Sequence, residues 1–331
     1  MTECVMLGKQ PRLRKPILIV AWPGMGEVAF KAAHYLVTTL KAKEFAEIPS
    51  SDFFYPLSCS IKEGVLDMPA LPSNKFYYWV NPNKKDKNNS VNDLIIFLSN
   101  SQPDLAKAGE YSSAIIELAN KFKIDKTIGF AAMPAPIEHN QDSGVWFAAT
   151  HKDLVNEFKK FNMKLMNEGQ ISGMNGLFLA QAKEKGLKGM CLLGEIPLYT
   201  MHIENPRASF AVLGELCKIL NISLDLSGLQ EEARTIETEI NKLLDYFKVG
   251  AHADAATPIG EEEIERIKKS LSQYTRLPLS IKIKIERLFE EAQNDIAKAK
   301  DLKKELDYWS VYKDYEDKFL DLFKKSKEKG N

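Results

Sequence analysis

The run Ile17-Leu18-Ile19-Val20-Ala21-Trp22, followed at once by Pro23-Gly24-Met25-Gly26, constrains the fold more than any other stretch of the chain. Its side chains are apolar at every position rather than at every second one, so both faces of the strand must be covered, as in a central strand of a parallel sheet. The Pro-Gly pair ends the strand, and Ala29, Ala33, Leu36, Val37 and Leu40 then recur at helical spacing. Strand, tight turn and helix in that order open an α/β unit.

The same alternation continues downstream. Strands are expected at 57–61, 76–80, 94–98, 127–132, 145–149 and 187–193, and helices at 104–122, 151–160, 174–186 and 207–220. Gly186 suits a helix C-cap. The expected fold class is therefore α/β, a mostly parallel sheet covered by helices, with a core domain over 1–227. From 228 to 331 the strand signals stop and charged residues dominate, which predicts a helical C-terminal segment. Leu229, Ala233, Ile236, Ile240, Leu243 and Phe247 mark one apolar stripe, a linker is expected at about 249–259, and a helix follows at 261–274. After an interruption at Leu277-Pro278, the steps Ile285, Leu288, Ala292, Ile296, Ala299, Leu302, Leu306 and Trp309 read as one coiled-coil-like seam over about 280–309. The tail's apolar face either packs on its own chain or docks a partner.

Charge excludes some functions. Across 331 residues the 45 Lys and Arg balance the 45 Asp and Glu, so no overall field draws the chain to nucleic acid or to an anionic membrane. The basic pieces at 12–15, 84–87 and 324–327 lack interleaved aromatics and read as solvated surface. No apolar stretch reaches the ~18 residues of a membrane span, and no signal peptide is evident at the N-terminus. Cys4, Cys59, Cys191 and Cys217 form no CxxC pair and read as reduced thiols, so a cytoplasmic location is expected.

Gly24-Met25-Gly26-Glu27-Val28-Ala29 fits GxGxxA between a strand and a helix, where backbone N–H groups can cradle a pyrophosphate. Against a dinucleotide stand the crowding Trp22-Pro23 and the weak strand signal around Phe45-Ala46, although Glu44 and Glu47 lie near the ribose-binding distance. The glycines are read as a structural turn, and no cofactor is expected. His34, His139, His151, His202 and His252 have no metal-ligand spacing, so no metal is expected, although Glu138-His139 and His151-Lys152-Asp153 could converge in space. Ser143 in Asp142-Ser143-Gly144 lacks the nucleophile-elbow pattern. No catalytic residue is named.

Ala21-Trp22-Pro23-Gly24-Met25-Gly26-Glu27-Val28-Ala29 closely resembles the first strand and loop of the proteasome assembly chaperone 2 family. Three further segments agree in order: Ile171-Ser172-Gly173-Met174-Asn175-Gly176-Leu177, Leu192-Leu193-Gly194-Glu195-Ile196-Pro197, and Asn205-Pro206-Arg207-Ala208. The resemblance spans roughly residues 10 to 250. It implies a fold similar to purine nucleoside phosphorylases, homo-oligomers with trimers familiar among prokaryotic members, and chaperone-like binding of proteasome subunits or related partners. It brings no catalytic set. Trp22, Pro23, Gly24, Met25, Gly26, Gly173, Met174, Gly176, Gly194, Glu195 and Pro197 are its signature positions, with a structural or binding role. Members that dock on proteasome rings tend to end in hydrophobic-Tyr-any residue, whereas this sequence reads Lys329-Gly330-Asn331, so docking by such a tail is not expected. The leading expectation is a homo-oligomeric protein-assembly or binding protein that is not an enzyme, with self and an unidentified protein as partners. The alternatives are a nucleoside-type ligand-binding protein or enzyme using the Gly-rich cleft, and a dinucleotide-dependent enzyme.

Overall fold

The computed structural model describes residues 4–56, 59–62, 64–83, 92–250, 279–295, 298–308 and 311–328. Packing divides the chain into two compact units, Met1–Tyr55 with Leu71–Leu271, and Pro56–Ala70 with Ser272–Asn331. The division thus differs from the expected boundary after residue 227. A helix that starts at Ser227 belongs to the first unit, and a short segment from the first third of the sequence belongs to the second.

The first unit is built on nine strands: β1 (Val5–Met6), β2 (Ile17–Ala21), β3 (Lys43–Glu47), β6 (Asn74–Trp79), β7 (Leu94–Ser99), β8 (Lys126–Ala135), β9 (Val145–Ala149), β10 (Lys164–Leu165) and β11 (Lys188–Pro197). Their order is β1-β3-β6-β7-β2-β8-β11-β9-β10. Only β7, β2, β8 and β11 form a continuous parallel centre; β6 and β9 flank it antiparallel, so the sheet is mixed. The central strands are the ones that read as unbroken apolar runs: all five residues of β2 and all six of β7 are buried.

Around the sheet lie α1 (Val28–Thr39), α2 (Ala108–Lys121), α3 (Lys152–Phe158), α4 (Met174–Glu184), α5 (Pro206–Leu220) and α6 (Ser227–Gly250). α2 and α4 pack together on one face, while α1 packs on α5 and α6 on α5. Two glycines of β11 show that α4 and α5 take opposite faces. A Cβ on Gly189 would press on Leu179 of α4, and one on Gly194 on the backbone of Ala208 of α5, and positions five apart in a strand point opposite ways. The α2/α4 face holds the large core of Leu18, Val20, Trp22, Phe97, Tyr111 and Phe178. Helix ends follow local chemistry: Asn205 accepts the Ala208 N–H with Pro206 in the first turn of α5, and Gly186 turns the chain after α4 at φ 82°.

Among its described residues the second unit contains a separate hairpin, β4 (Ser60–Lys62) with β5 (Val65–Asp67), and the helices α7 (Leu279–Asn294), α8 (Ala299–Tyr308) and α9 (Tyr312–Glu328). The strand expected at 57–61 is this hairpin's first arm and takes no part in the main sheet; Leu57 lies outside the described residues. The single seam expected over 280–309 is broken into α7 and α8, and Ile285, Phe289 and Ala292 pack against Ala299, Leu302 and Leu306. A three-four apolar spacing serves a helical hairpin as well as one long helix, because both hide the same stripe. Lys304 of α8 pairs with Asp67 of β5. Ile296, Trp309, the helix expected at 261–274, Leu277-Pro278, 84–87, His252 and Lys329-Gly330-Asn331 lie outside the described residues; of the expected linker, Val249 and Gly250 are helical.

Candidate functional site

Trp22, at the end of β2, is fully buried, and its ring meets Phe97, Tyr111 and Phe178 at centroid distances of 5.4, 6.3 and 5.7 Å. Its backbone is clamped at both ends by one side chain. The Trp22 N–H donates to Asn175 Oδ1 at 3.0 Å, and Asn175 Nδ2 donates to the Trp22 carbonyl at 3.0 Å. Gln102 repeats the device one residue on: its Nε2 donates to the Pro23 carbonyl at 2.6 Å and its Oε1 accepts the Met174 N–H at 3.0 Å. The indole Nε1 reaches Tyr111 OH at 3.4 Å, and that hydroxyl donates to Asn74 at 2.5 Å. Burial pushes the Tyr111 hydroxyl well above its ordinary pKa, so it stays a neutral donor.

The turn that follows is filled. Gly24 is extended at φ −168°, a conformation open to any residue, whereas Gly26 at φ 60° and Glu27 at φ 52° are left-handed. A Cβ on Gly26 would meet Asn205 and Ile196 within 3.5 Å. The Gly26 N–H donates to the Met201 carbonyl, the Asn205 N–H donates to the Gly26 carbonyl, and the Glu27 N–H closes back on Gly24. Amides that would face a pyrophosphate are therefore engaged within the protein. β3 exists and ends in Glu47, but β7 and β6 stand between it and β2, about 14 Å at ~4.8 Å per strand. The acid is not beside the turn.

The other signature positions gather at the same carboxyl edge of the sheet. Gly173, at φ 69°, opens α4, and a Cβ on Gly176 would overlap the Ile171 carbonyl oxygen. Gly194 lets α5 approach β11. Glu195 is buried and accepts from the Gly144 N–H at 3.0 Å, Trp146 Nε1 at 2.6 Å and Lys164 Nζ at 3.2 Å, while its carbonyl accepts from the Ser143 hydroxyl. Burial opposes its charge, but the indole, the ammonium and the amide outweigh it and hold its pKa below the ordinary carboxylate value. Pro197 ends β11 and its carbonyl accepts from Thr200. These turns and the first turn of α4 carry exposed apolar side chains: Met25, Leu105, Leu177, Leu198 and Tyr199. Around a filled crevice stands an apolar rim.

The remaining chemical candidates do not assemble. His139 lies beyond the end of β8, bonded to Tyr199, while His151 bonds Thr150 after β9, at the opposite end of the sheet, so the two histidine clusters do not converge. Asp153 is paired with Lys188. Ser143 serves the Glu195 carbonyl rather than a base. Burial pushes the Cys191 thiol to about 12 and the Cys217 thiol to about 11, values that make both poor nucleophiles. Among the described residues no group of three His, Cys, Asp or Glu could hold a metal, and no helix is long and apolar enough to cross a membrane. The site's true anchors, Asn175, Gln102 and Asn205, were not singled out from the sequence. Two of them lie inside the quoted signature segments, and a polar amide between a glycine and an apolar helix start was the available signal.

The chain is 29% identical over 261 residues to the uncharacterized protein MJ1210 of Methanocaldococcus jannaschii, covering 77% of this chain and 93% of that one. Its fold matches Pyrococcus furiosus PbaB, an archaeal proteasome activator, with a TM-score of 0.61 and 29% identity over 73% of this chain and 99% of that one. Pyrococcus furiosus PbaA, an archaeal homolog of proteasome-assembly chaperone, shares the fold at a TM-score of 0.54 and 24% identity, over 75% and 100% of the two chains. The sequence profile of the PAC2 family spans residues 18–244, from β2 through most of α6, and the chain belongs to that family.

Proposed function

We propose that this chain is a homo-oligomeric, cytoplasmic protein-assembly factor that holds proteasome subunits, or proteins like them, on the apolar rim at the carboxyl edge of its sheet. One observation carries the reading. The crevice where α/β proteins place small ligands is filled by Trp22, Asn175 and Gln102, while the turns and the start of α4 around it present Met25, Leu105, Leu177, Leu198 and Tyr199 to solvent. A filled crevice ringed by exposed apolar side chains suits a protein partner. The similarity to an archaeal proteasome activator supports the choice of partner. Within this proposal the core has the architecture of purine nucleoside phosphorylases without their chemistry, and the signature glycines shape the rim; a trimer is the oligomer to test first.

The test is capture of purified proteasome subunits by the full chain and by Met25→Asp and Leu198→Asp, with oligomer mass measured in parallel by light scattering. Both side chains are exposed, so the fold should survive. At least tenfold weaker capture by either variant supports the reading, and undiminished capture by both sinks it. Titration with nucleosides checks the rival ligand-binding reading, for which no saturable heat is expected.

A further inference from the structure

α6 is held on the first unit in an unusual way. Leu229, Ala233, Ile236 and Ile240 bury its apolar stripe on α5. Three polar contacts flank that stripe, one on one side and two on the other: Glu232 with Lys31 Nζ at 2.5 Å, then Glu237 with Arg207 Nε at 2.6 Å and Asn241 Oδ1 with His139 Nε2 at 2.8 Å. Each core-side group also has a second partner within the core. Lys31 meets Glu204 at 3.1 Å, Arg207 Nη1 meets Asp142 at 2.8 Å, and His139 Nδ1 meets Tyr199 OH at 2.8 Å.

This duplication has an energetic meaning. Removing a helix normally orphans the buried polar groups it satisfied, which costs ~1–3 kcal/mol each and more for a charge. Lys31 is 4% exposed, yet it would still face Glu204 if α6 left. The seat is thus complete without its helix. The seam is also not closed: a groove of about 400 Å³ runs along it, lined by Ser143, Arg207 and Phe210 from the core and Gln230 and Arg234 from α6. Such a helix belongs to the low-stability end of a fold, where local opening occurs first.

We propose that the face formed by α1, α5 and the His139 loop is a receptor groove for an acidic amphipathic helix of a partner protein, and that α6 is its built-in occupant, a strap displaced when that helix docks. The partner's chemistry is set by what α6 shows to fit: apolar residues at three- and four-residue steps, with one carboxylate on each side of that stripe, five residues apart, to meet Lys31 and Arg207. This goes beyond the rim-binding reading and, Tyr199 apart, uses different residues, so either can fail alone.

A fluorescein-labelled peptide covering residues 226–242 is titrated into the full chain and into its Glu232→Gln, Glu237→Gln double variant, whose own strap is weakened. The peptide should bind the double variant at least tenfold more tightly than the wild type. The same peptide carrying glutamine at both acids should bind at least fivefold more weakly. Deuterium uptake over 229–240 should rise in the double variant, and uptake in α5 should fall when peptide is added. Equal affinity for both proteins, or a strap that exchanges faster while the peptide stays unbound, overturns the proposal. If the double variant fails to fold, Asn241→Ala loosens the far end of the strap and is read in the same way. Met25→Asp must leave peptide binding unchanged, which separates this groove from the rim.

Discussion

The turn after β2 and the seat of α6 are both places where polar side chains fasten one element to another, and they are built on opposite plans. At the turn each hydrogen bond is made once. Asn175 spends its amide on the Trp22 backbone, and Gln102 spends its own on Pro23 and Met174. At the seat of α6 each core group has two partners, one from the core and one from the helix. A singly made, buried contact fixes geometry and cannot be given up; a duplicated one can be surrendered at modest cost. The segments that carry the resemblance fall in both: Trp22 to Gly26 in the first kind of place, Arg207 in the second.

Gly176→Ala should break the turn most severely. Its Cβ would overlap the Ile171 carbonyl, a backbone atom that cannot swing away, so a loss of about 3 kcal/mol or more in urea unfolding is expected. Asn175→Leu comes next, near 2 kcal/mol, because it leaves the buried N–H and carbonyl of Trp22 without partners. A destabilisation below ~0.5 kcal/mol for either would mean that the turn is redundant after all. At the α6 seat, Glu237→Gln should cost under about 1 kcal/mol, since Arg207 keeps Asp142 and the pair is partly exposed. A loss as large as that of Asn175→Leu would erase the contrast.

The smallest expected effect is in pH dependence, and the two signs differ. Burial disfavours the Lys31 charge, but Glu204 and Glu232 outweigh it and raise its pKa above the ordinary 10.5. Its contribution is therefore complete below pH 10.5 and is lost as pH rises through the raised folded value. Glu195 has a lowered folded pKa, so its contribution is present above the ordinary carboxylate range and is lost as pH falls through that lower value. Lys31→Met should flatten only the alkaline limb of a stability–pH curve, and Glu195→Gln only the acid limb. Either variant flattening the other limb would show that the charges act elsewhere.

Much of the core was legible because its strands are buried on both faces: Ile17–Ala21 and residues 94–98 leave no polar position to obscure them. β3 was barely legible because it lies near the sheet edge with only Phe45 and Ala46 buried, and a five-residue strand with two exposed ends carries little period. The strand expected at 57–61 falls in the second unit's hairpin rather than in the main sheet, because Ile61 looks like a core residue in sequence but stands 72% exposed. At the site, the glycines were visible and their partners were not. That Gly24 is extended while Gly26 is left-handed depends on Asn205 and Met201, some 180 residues away, and no local pattern encodes such a contact.

The hairpin has a consequence for how the chain is made. Pro56–Ala70 belongs with Ser272–Asn331, and the whole of Leu71–Leu271 is synthesised between them. At ~5–20 residues per second, the hairpin emerges on the order of 10–40 s before its companion helices exist. During that interval Asp67 lacks the Lys304 it pairs with, on a hairpin of two strands too short to be stable alone. Slower elongation lengthens that wait, so the yield of correctly joined second unit should depend on the speed of the ribosome as well as on the final stability of the protein.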